Sequence, residues 1–296
     1  MRVFVTGATG FIGTVVVREL IRAGHQVLGL TRSDKGADAL ASAGAQVHRG
    51  DLEDLESLRA GAALSDGVIH TAFVHDFSKF KESSQIDRRA IEAIGLVLAG
   101  SDRPLVVTSG ALLVNPGHLA TEDMPAPNGS SVPRVSEQAA LALIPKKVRV
   151  SIVRLPQVHD RDKAGLVSYL IAIARAKGVS AYIGEGRNRW SAVHRLDVPA
   201  VYRLALETAP AGAIYHAIAE EGVPLRDIAE AIGRGLKLPV VSKSEGDAAN
   251  HFGGLSIFAG MDGPASSALT QQRLGWRPTQ STGLLADLDQ FNEFRV

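Results

Sequence analysis

The sequence lacks cysteine altogether, which excludes a disulfide framework, a thiolate nucleophile, a cysteine zinc site and an iron–sulfur cluster. It also lacks an excess of either charge, since 32 Lys and Arg residues face 31 Asp and Glu residues. A net charge of +1 gives no electrostatic reason to expect a nucleic-acid partner or a membrane surface. Aromatic residues are scarce at 5%, whereas 30 of the 296 residues are glycine. Because these glycines are scattered among apolar runs, they indicate ordered turns.

Long hydrophobic runs are also missing. The longest apolar stretch, around residues 166–183, is interrupted by Arg175 and Lys177 and is too short to span a bilayer. The first five residues enter a structured pattern without the charged and apolar regions of a signal peptide. We therefore expect a cytoplasmic protein that does not associate with membranes.

Short β-branched runs alternate with helical patterns through the first 155 residues. Most of the runs are continuously apolar, which is typical of strands covered on both faces. The predicted strands are residues 3–5, 26–31, 46–48, 67–70, 105–108 and 148–154. The predicted helices include residues 12–23, 55–62, 87–100 and 136–144. This alternation predicts an α/β fold with a doubly wound parallel sheet and right-handed crossovers, that is, a Rossmann fold.

The pattern becomes less regular after Pro156. Predicted helices at residues 166–177, 198–207 and 225–236 are mixed with short strands near residues 192–196 and 213–217. Joints rich in Gly and Ser follow at residues 253–263 and around 279–283. We predict one domain over residues 1–155, with return segments near 192–217, and a smaller, less regular region over residues 156–296.

A glycine-rich turn, TGATGFIG over residues 6–13, lies between the first predicted strand and the first predicted helix. Gly7 permits the tight turn, Gly10 lets a pyrophosphate approach the backbone, and Gly13 lets the helix sit close to the strand. The pyrophosphate would rest on free N–H groups at the positive end of the helix. The other predicted cofactor contacts of this turn are Thr9, Phe11 and Ile12. Residues 1–155 are therefore predicted to bind a dinucleotide, and residues 156–296 a substrate.

The end of the second strand indicates which dinucleotide binds. An acidic residue there would repel a 2′-phosphate, whereas Arg32 can pair with it and Lys35 lies close enough in sequence to help. We therefore expect NADP(H) in preference to NAD(H); the alternative is that Arg32 is a solvated loop arginine. Asp51, followed by Leu52, lies where a carboxylate can reach the adenine amine, although a helix-capping Asp fits nearly as well.

Further motifs resemble the short-chain dehydrogenase/reductase superfamily, in its extended and atypical branch that includes NAD(P)-dependent epimerases and dehydratases. The resemblance covers nearly the whole chain. The motifs are VIHTA at residues 68–72, RLPQV at 154–158, AVHRLD at 192–197 and LGWRP at 274–278. The resemblance implies that Thr71, Ala72, Thr108 and Pro156 line the cofactor site near the nicotinamide.

The proton relay of that family is absent. The family normally uses a Tyr with a Lys four residues later, and none of the four tyrosines here has a lysine at that spacing. In the family register, Pro133 and Glu137 occupy the two positions, and Pro133 also reads as a helix-starting proline. The family's hydroxyl is represented by Ser109, although strict alignment places Gly110 there.

Two side chains are candidates for a catalytic role. Ser109 can hydrogen-bond a carbonyl oxygen, and His75, in a loop at the carboxyl end of the sheet, can donate a proton. Each has a structural alternative, as a strand-end hydroxyl and as a surface histidine. We expect no metal, because the histidines show no paired helical spacing with acids. Tyr169, Tyr182 and Trp190 are candidates for the substrate pocket, although a place in the apolar core is the favoured interpretation for each.

These features predict an NADPH-dependent carbonyl reductase (ketoreductase) acting on a fairly apolar ketone or aldehyde, similar to tyrosine-less polyketide ketoreductases. Hydride transfer depends chiefly on orientation, which contributes about 7–11 kcal/mol, so a reductase tolerates loss of the general acid. The alternative is a non-catalytic NADP-binding sensor or partner-binding protein. A nucleotide-sugar epimerase or dehydratase ranks last because its base is missing. The expected partner is a small carbonyl compound, and the chain is either a monomer or a homodimer.

Overall fold

The computed structural model describes residues 1–126 and 134–295. Within them the chain forms two compact units. The first unit comprises residues 1–109, 134–154 and 198–215, and the second comprises residues 110–126, 155–197 and 216–295. Both units are therefore discontinuous in sequence.

The strands and helices are numbered in chain order. The strands are β1 (Arg2–Thr6), β2 (Gln26–Thr31), β3 (Gln46–Arg49), β4 (Gly67–His70), β5 (Pro104–Gly110), β6 (Arg149–Leu155), β7 (Gln157–His159), β8 (Ser180–Ile183), β9 (Arg189–His194), β10 (Ala213–His216), β11 (Glu220–Pro224) and β12 (Val240–Lys243). The helices are α1 (Gly13–Arg22), α2 (Asp34–Ser42), α3 (Leu55–Ala63), α4 (Phe80–Leu98), α5 (Ser136–Leu141), α6 (Val167–Lys177), α7 (Val198–Thr208), α8 (Leu225–Leu236), α9 (Glu245–Phe252), α10 (Ser256–Ala259), α11 (Ala268–Leu274) and α12 (Leu284–Leu288).

The first unit is built on a seven-stranded sheet in the order β3-β2-β1-β4-β5-β6-β10. The pairs from β3 through to β5 are parallel, as the continuous apolar runs predicted. In this unit α4 packs against α3 and α5, while α1 packs against α7. The predicted doubly wound Rossmann fold is confirmed. Its topological switch point lies between β1 and β4, where ligands of such sheets bind at the carboxyl ends of the strands.

The second unit contains two small sheets. In the three-stranded sheet β11-β9-β7, β9 runs parallel to β7 and antiparallel to β11. A two-stranded parallel sheet joins β12 to β8. The sequence predicted β9 and α8 here, but not β8, β12 or α9, because their short apolar patterns are mixed with polar residues.

Two sequence predictions need correction. The joint predicted at residues 253–263 contains a 3₁₀ turn and α10, because Leu255, Phe258 and Ala259 are buried at helical spacing. Helix α4 begins at Phe80 rather than at residue 87, since its first turns are polar and carry no apolar period. In α2, which was not predicted, the Ser33 hydroxyl accepts a hydrogen bond from the Gly36 amide and caps the helix.

Candidate functional site

The turn between β1 and α1 is held by steric contacts that only glycine permits. Gly7 has a φ of +66°, and a β-carbon there would lie 2.8 Å from the Ala72 amide nitrogen. A β-carbon at Gly13 would lie only 2.0 Å from the carbonyl oxygen of Gly7. The turn is closed by a 2.8 Å hydrogen bond from the Gly10 amide to the same oxygen. The start of α1 therefore approaches the turn as closely as the sequence predicted.

The remaining residues of the turn lie at its surface. Thr9 and Gly10 are exposed, while Phe11 and Ile12 are half-buried. Ile12 immediately precedes α1, so the first amides of the helix follow directly. The amides of Thr14, Val15 and Val16 donate to the carbonyl oxygens of Gly10 and Ile12. The start of α1 carries the positive end of the helix dipole, which suits an anion.

The ends of β2 and β3 bring Arg32 and Asp51 together. Nη1 of Arg32 lies 3.6 Å from Oδ2 of Asp51, and the Arg32 side chain is 83% exposed. The other carboxylate oxygen of Asp51 accepts a 2.9 Å hydrogen bond from the Glu53 amide. Asp51 thus caps its own turn, whereas the guanidinium of Arg32 is accessible to a ligand. Leu52 packs partly buried against the core of this unit.

The ends of β4 and β5 are tied to each other and to β1. The Thr71 hydroxyl donates to the carbonyl oxygen of Thr6 at 2.8 Å, and the Ala72 amide donates to the Thr6 hydroxyl at 3.4 Å. The Thr108 hydroxyl donates to the carbonyl oxygen of His70 at 2.8 Å and lies 2.7 Å from the Tyr202 hydroxyl oxygen. Thr71, Ala72 and Thr108 therefore form one edge with the glycine turn.

Ser109 lies on the opposite face of the sheet from Thr108. Val107 pairs with His70 in the parallel register, and alternation along β5 places the Ser109 side chain on the face that His70 occupies. Ser109 is 6% exposed. Among residues 1–126 and 134–295, its hydroxyl makes no hydrogen bond to the protein, so it is available to a ligand.

A buried polar network that the sequence did not reveal covers that face. Nε2 of His70 lies 2.9 Å from one carboxylate oxygen of Asp87, and Nδ1 of His70 lies 2.9 Å from the Thr6 hydroxyl. The Ser136 hydroxyl donates to the other oxygen of Asp87 at 2.5 Å. Burial opposes ionisation of Asp87, yet the interactions with His70, together with the charge of Arg134 and the Ser136 hydrogen bond, outweigh it and hold the pKa of Asp87 below its usual value. Because β4, α4 and α5 are far apart in sequence, no local motif marks this network.

The position of the missing lysine is occupied by a structural ion pair. Nε of Arg154 donates to one carboxylate oxygen of Glu137 at 2.9 Å, and Nη2 donates to the other at 2.8 Å. Both side chains are buried, at 0% and 4% exposure. Pro133, at the tyrosine position, lies outside the described residues. Glu137 therefore joins α5 to β6 and has no free oxygen that could act as a relay.

A second arginine lies beside this pair. Nη2 of Arg134 donates to the carbonyl oxygen of Thr108 at 3.4 Å, and Nε donates to the Ser136 hydroxyl at 3.1 Å. Its guanidinium carbon is 4.3 Å from the ring centroid of Phe73. Arg134 is half-buried, and no carboxylate oxygen of the described residues lies within 4 Å of its guanidinium. No local motif marks this residue, because its partners come from three separate segments.

His75 lies in an aromatic segment after β4. Its Nδ1 is 3.1 Å from the carbonyl oxygen of Phe73, and its ring is exposed. The rings of Phe73 and Phe80 are 5.6 Å apart, and those of Phe77 and Phe80 stack at 6.0 Å. This segment thus presents a half-buried apolar surface, with His75 turned back onto its own loop.

The remaining candidates for the substrate pocket lie in the second unit, whereas Tyr202 lies in the first unit. Tyr202 is fully buried, and burial raises the pKa of its hydroxyl above its usual value. Pro156 directly follows β6 and belongs to the second unit. Trp190, in the same unit, is fully buried, whereas Tyr169 and Tyr182 are half-buried. Within the described residues no cluster of acids and histidines has the arrangement of a metal site. In the same part of the chain, every helix is too short or too polar to cross a membrane.

Comparison with known proteins gives three kinds of match. An uncharacterized protein of Schizosaccharomyces pombe is 52% identical over 290 residues, covering 97% of this chain and 98% of that protein. The 4-hydroxy-2-methyl-3-oxo-4-farnesyl-3,4-dihydroquinoline-1-oxide ketoreductase of Stigmatella aurantiaca is 27% identical over 227 residues, covering 73% of this chain and 67% of that protein. The crystal structure of dTDP-glucose 4,6-dehydratase of Streptomyces venezuelae with NAD has a TM-score of 0.76 at 19% identity, covering 99% of this chain and 96% of that one.

The profile of the NAD dependent epimerase/dehydratase family matches residues 3–93. Those residues run from β1 into α4 and include the glycine turn, Arg32 and Thr71. They also include Asp51, Leu52 and Ala72, whereas Thr108 and Pro156 lie outside them. The chain belongs to the NAD dependent epimerase/dehydratase family, in the extended branch of the short-chain dehydrogenases/reductases.

Proposed function

We propose that this protein is an NADPH-dependent carbonyl reductase that reduces a fairly apolar ketone or aldehyde without the family's tyrosine and lysine. The observation that carries the proposal is the Ser109 hydroxyl, which has no hydrogen-bond partner among the described residues and lies near the carboxyl end of β5. A preorganised hydroxyl of this kind can donate to a carbonyl oxygen as negative charge develops there.

The residues of the first unit fit a dinucleotide. The glycine turn leaves no room for a side chain at Gly7 or Gly13, so backbone amides at the start of α1 can approach a pyrophosphate. Arg32, which is exposed at the end of β2, would pair with the 2′-phosphate. Thr71 and Ala72 would border the nicotinamide side. The bound nicotinamide would supply the hydride.

The protein itself would bind and orient the carbonyl compound. Ser109 would hold the carbonyl oxygen, and the ring surface of Phe73, Phe77 and Phe80 would accept the apolar part of the substrate. His75 remains a candidate proton donor, since it is exposed and close in sequence to this surface. The ketoreductase name of the Stigmatella relative supports this substrate class.

A non-catalytic NADP-binding role is the second candidate, and a specific observation favours it. Glu137, at the position of the family's lysine, is fully engaged by Arg154 and cannot move a proton. A protein that only senses the cofactor needs no such group.

One experiment separates the two roles. Stringently purified protein is mixed with NADPH and a panel of aromatic, polyketide-like and aliphatic ketones and aldehydes, and NADPH absorbance is followed over many turnovers. A reductase consumes NADPH only when one of the carbonyl compounds is present. Binding of NADPH, seen as enhanced NADPH fluorescence, without turnover on any compound would support the sensor instead. Gly7→Val is the control variant and should show neither NADPH binding nor turnover. The valine side chain would enter the space of Thr71 and Ala72, where the cofactor is proposed to bind.

A further inference from the structure

Among the described residues, the guanidinium of Arg134 has fixed neighbours but no ion-pair partner of its own. The two buried carboxylates near it are already satisfied, Glu137 by Arg154 and Asp87 by His70 and Ser136. Burial lowers the pKa of Arg134, and the charges of Asp87 and Glu137 oppose this lowering. An arginine keeps its positive charge in such half-buried surroundings, and its remaining N–H groups can donate to another acceptor.

The orientation of Arg134 is set by three neighbours. Nε donates to the Ser136 hydroxyl, and Nη2 donates to the carbonyl oxygen of Thr108. The ring centroid of Phe73 lies 4.3 Å from the guanidinium carbon. Two of the five N–H donors are therefore used by the described residues. The remaining three belong to Nη1 and Nη2, at the end of the side chain.

This guanidinium lies next to Ser109. The carbonyl group that accepts from Nη2 is the one that joins Thr108 to Ser109, and Ser109 shares the sheet face of His70, Asp87 and Ser136. Among the described residues, one place in the first unit thus combines a hydroxyl without a hydrogen-bond partner and a cation with unused donors. A developing oxyanion is stabilised by hydrogen-bond donors of these two kinds.

We propose that Arg134 is a catalytic residue that, together with Ser109, binds the carbonyl oxygen of the substrate and stabilises the alkoxide formed during reduction. This inference rests on the proposed reductase function. The carbonyl carbon gains a hydride from the reduced nicotinamide, and the π electron pair of the C=O bond moves to the oxygen. Arg134 donates N–H hydrogen bonds to that oxygen without losing its proton, and water then protonates the alkoxide to give the alcohol and hydroxide.

Arg134 would therefore replace the charge stabilisation of the missing relay, but not its proton transfer. A guanidinium stays protonated at every pH at which the protein is folded, so it acts as an electrophile and not as a general acid. Removal of one donor from an oxyanion site lowers kcat by about 100- to 1,000-fold.

The test compares Arg134→Met, Arg134→Lys and Arg134→Ala with wild type, using the carbonyl compound that wild type reduces best. We expect the kcat of Arg134→Met to be at least about 100-fold below that of wild type. The NADPH dissociation constant should stay within about twofold of wild type, and the unfolding midpoint should stay close to that of wild type. Arg134→Lys should keep part of the wild-type kcat, since lysine retains the positive charge but not the forked N–H donors of a guanidinium. Added guanidinium ion at millimolar concentration should partly restore kcat to Arg134→Ala. Arg89→Met, an exposed arginine on α4, is the matched control and should leave kcat unchanged.

Three outcomes would overturn the inference. An Arg134→Met variant with the kcat of wild type would show that the guanidinium does not act on the carbonyl oxygen. Loss of activity that follows loss of NADPH binding or of stability, without rescue by guanidinium, would assign Arg134 a structural role between α5 and β5. Wild type that reduces none of the carbonyl compounds would instead refute the proposed function itself, and this inference with it.

Discussion

The glycine turn after β1 and the start of α5 lie in the same unit, but their structures have different origins. The turn is determined by residues 6–13, whose backbone contacts exclude side chains at Gly7 and Gly13. The start of α5 is determined by partners from β4, α4, β5 and β6, namely His70, Asp87, Thr108 and Arg154. The glycine turn retains the family's motif. At the start of α5, ion pairs stand in place of the family's tyrosine–lysine relay.

The difference shows how a family site can change without change of fold. A backbone cradle tolerates little substitution, because any β-carbon at its contact points meets backbone atoms. A relay made of side chains can be exchanged for another buried polar network, provided that every charge in it finds a partner. The predictions below probe the two places in order of decreasing expected effect.

The largest effect is expected at the position of the missing lysine. Glu137→Gln should lower the free energy of unfolding by about 3–5 kcal/mol, because it leaves the guanidinium of Arg154 buried without a carboxylate. The measurement is urea unfolding at neutral pH. Glu92→Gln, which breaks the exposed pair of Glu92 with Arg88 on α4, is the control and should cost about 0–1 kcal/mol. Equal losses for the two variants would show that the buried pair is not what holds α5 to β6.

The neighbouring network predicts a pH dependence. The pKa of Asp87 is lower in the folded protein than in the unfolded chain, so its stabilising contribution is complete above about pH 4 and is lost as pH falls through the folded value. Asp87→Asn should therefore cost about 1.5–3 kcal/mol at pH 7 and progressively less in acid. Unfolding curves of both proteins at several pH values test this. A difference that does not change with pH would contradict it.

At the glycine turn, Gly13→Ala should weaken NADPH binding and cost about 1–3 kcal/mol of stability. The added methyl group would lie 2.0 Å from the Gly7 carbonyl oxygen, so α1 must move away from the turn. Fluorescence titration with NADPH and thermal unfolding measure the two effects. Gly246→Ala, in an exposed turn of α9 with only a 3.8 Å neighbour, is the matched control and should be neutral or slightly stabilising. If both variants keep the NADPH affinity and the thermal stability of wild type, α1 can move away from the turn without cost, and the prediction is wrong.

The smallest expected effect concerns the choice of cofactor. Arg32→Asp should weaken NADPH binding about tenfold more than NADH binding, since it replaces an exposed cation with an anion that repels a 2′-phosphate. Dissociation constants for both cofactors at fixed ionic strength provide the comparison. Arg59→Asp, on the surface of α3, is the control for a general change in charge. Equal weakening of both cofactors would mean that Arg32 does not contact the phosphate.

The sequence was most informative where the structure is local. The strands β1, β2 and β4 and helices α1 and α8 were predicted within a few residues, because an apolar period and a following glycine or polar residue mark each of them. Helix α2 and the short strands β8 and β12 were missed, since each is too short and too polar to show a period. Arg134 was missed because Ser136, Thr108 and Phe73 meet only after folding.

The sequence by itself determined the Rossmann sheet, the family and the absence of a tyrosine–lysine pair, because each depends on residue types at short spacing. Only the tertiary structure decided what stands in place of that pair. It joined Glu137 to Arg154, tied Asp87 to His70 and Ser136, and left Arg134 with donors to spare beside Ser109. The physical reason is that a buried charge takes whichever partner the fold brings within hydrogen-bond distance, and that distance is not encoded in sequence spacing.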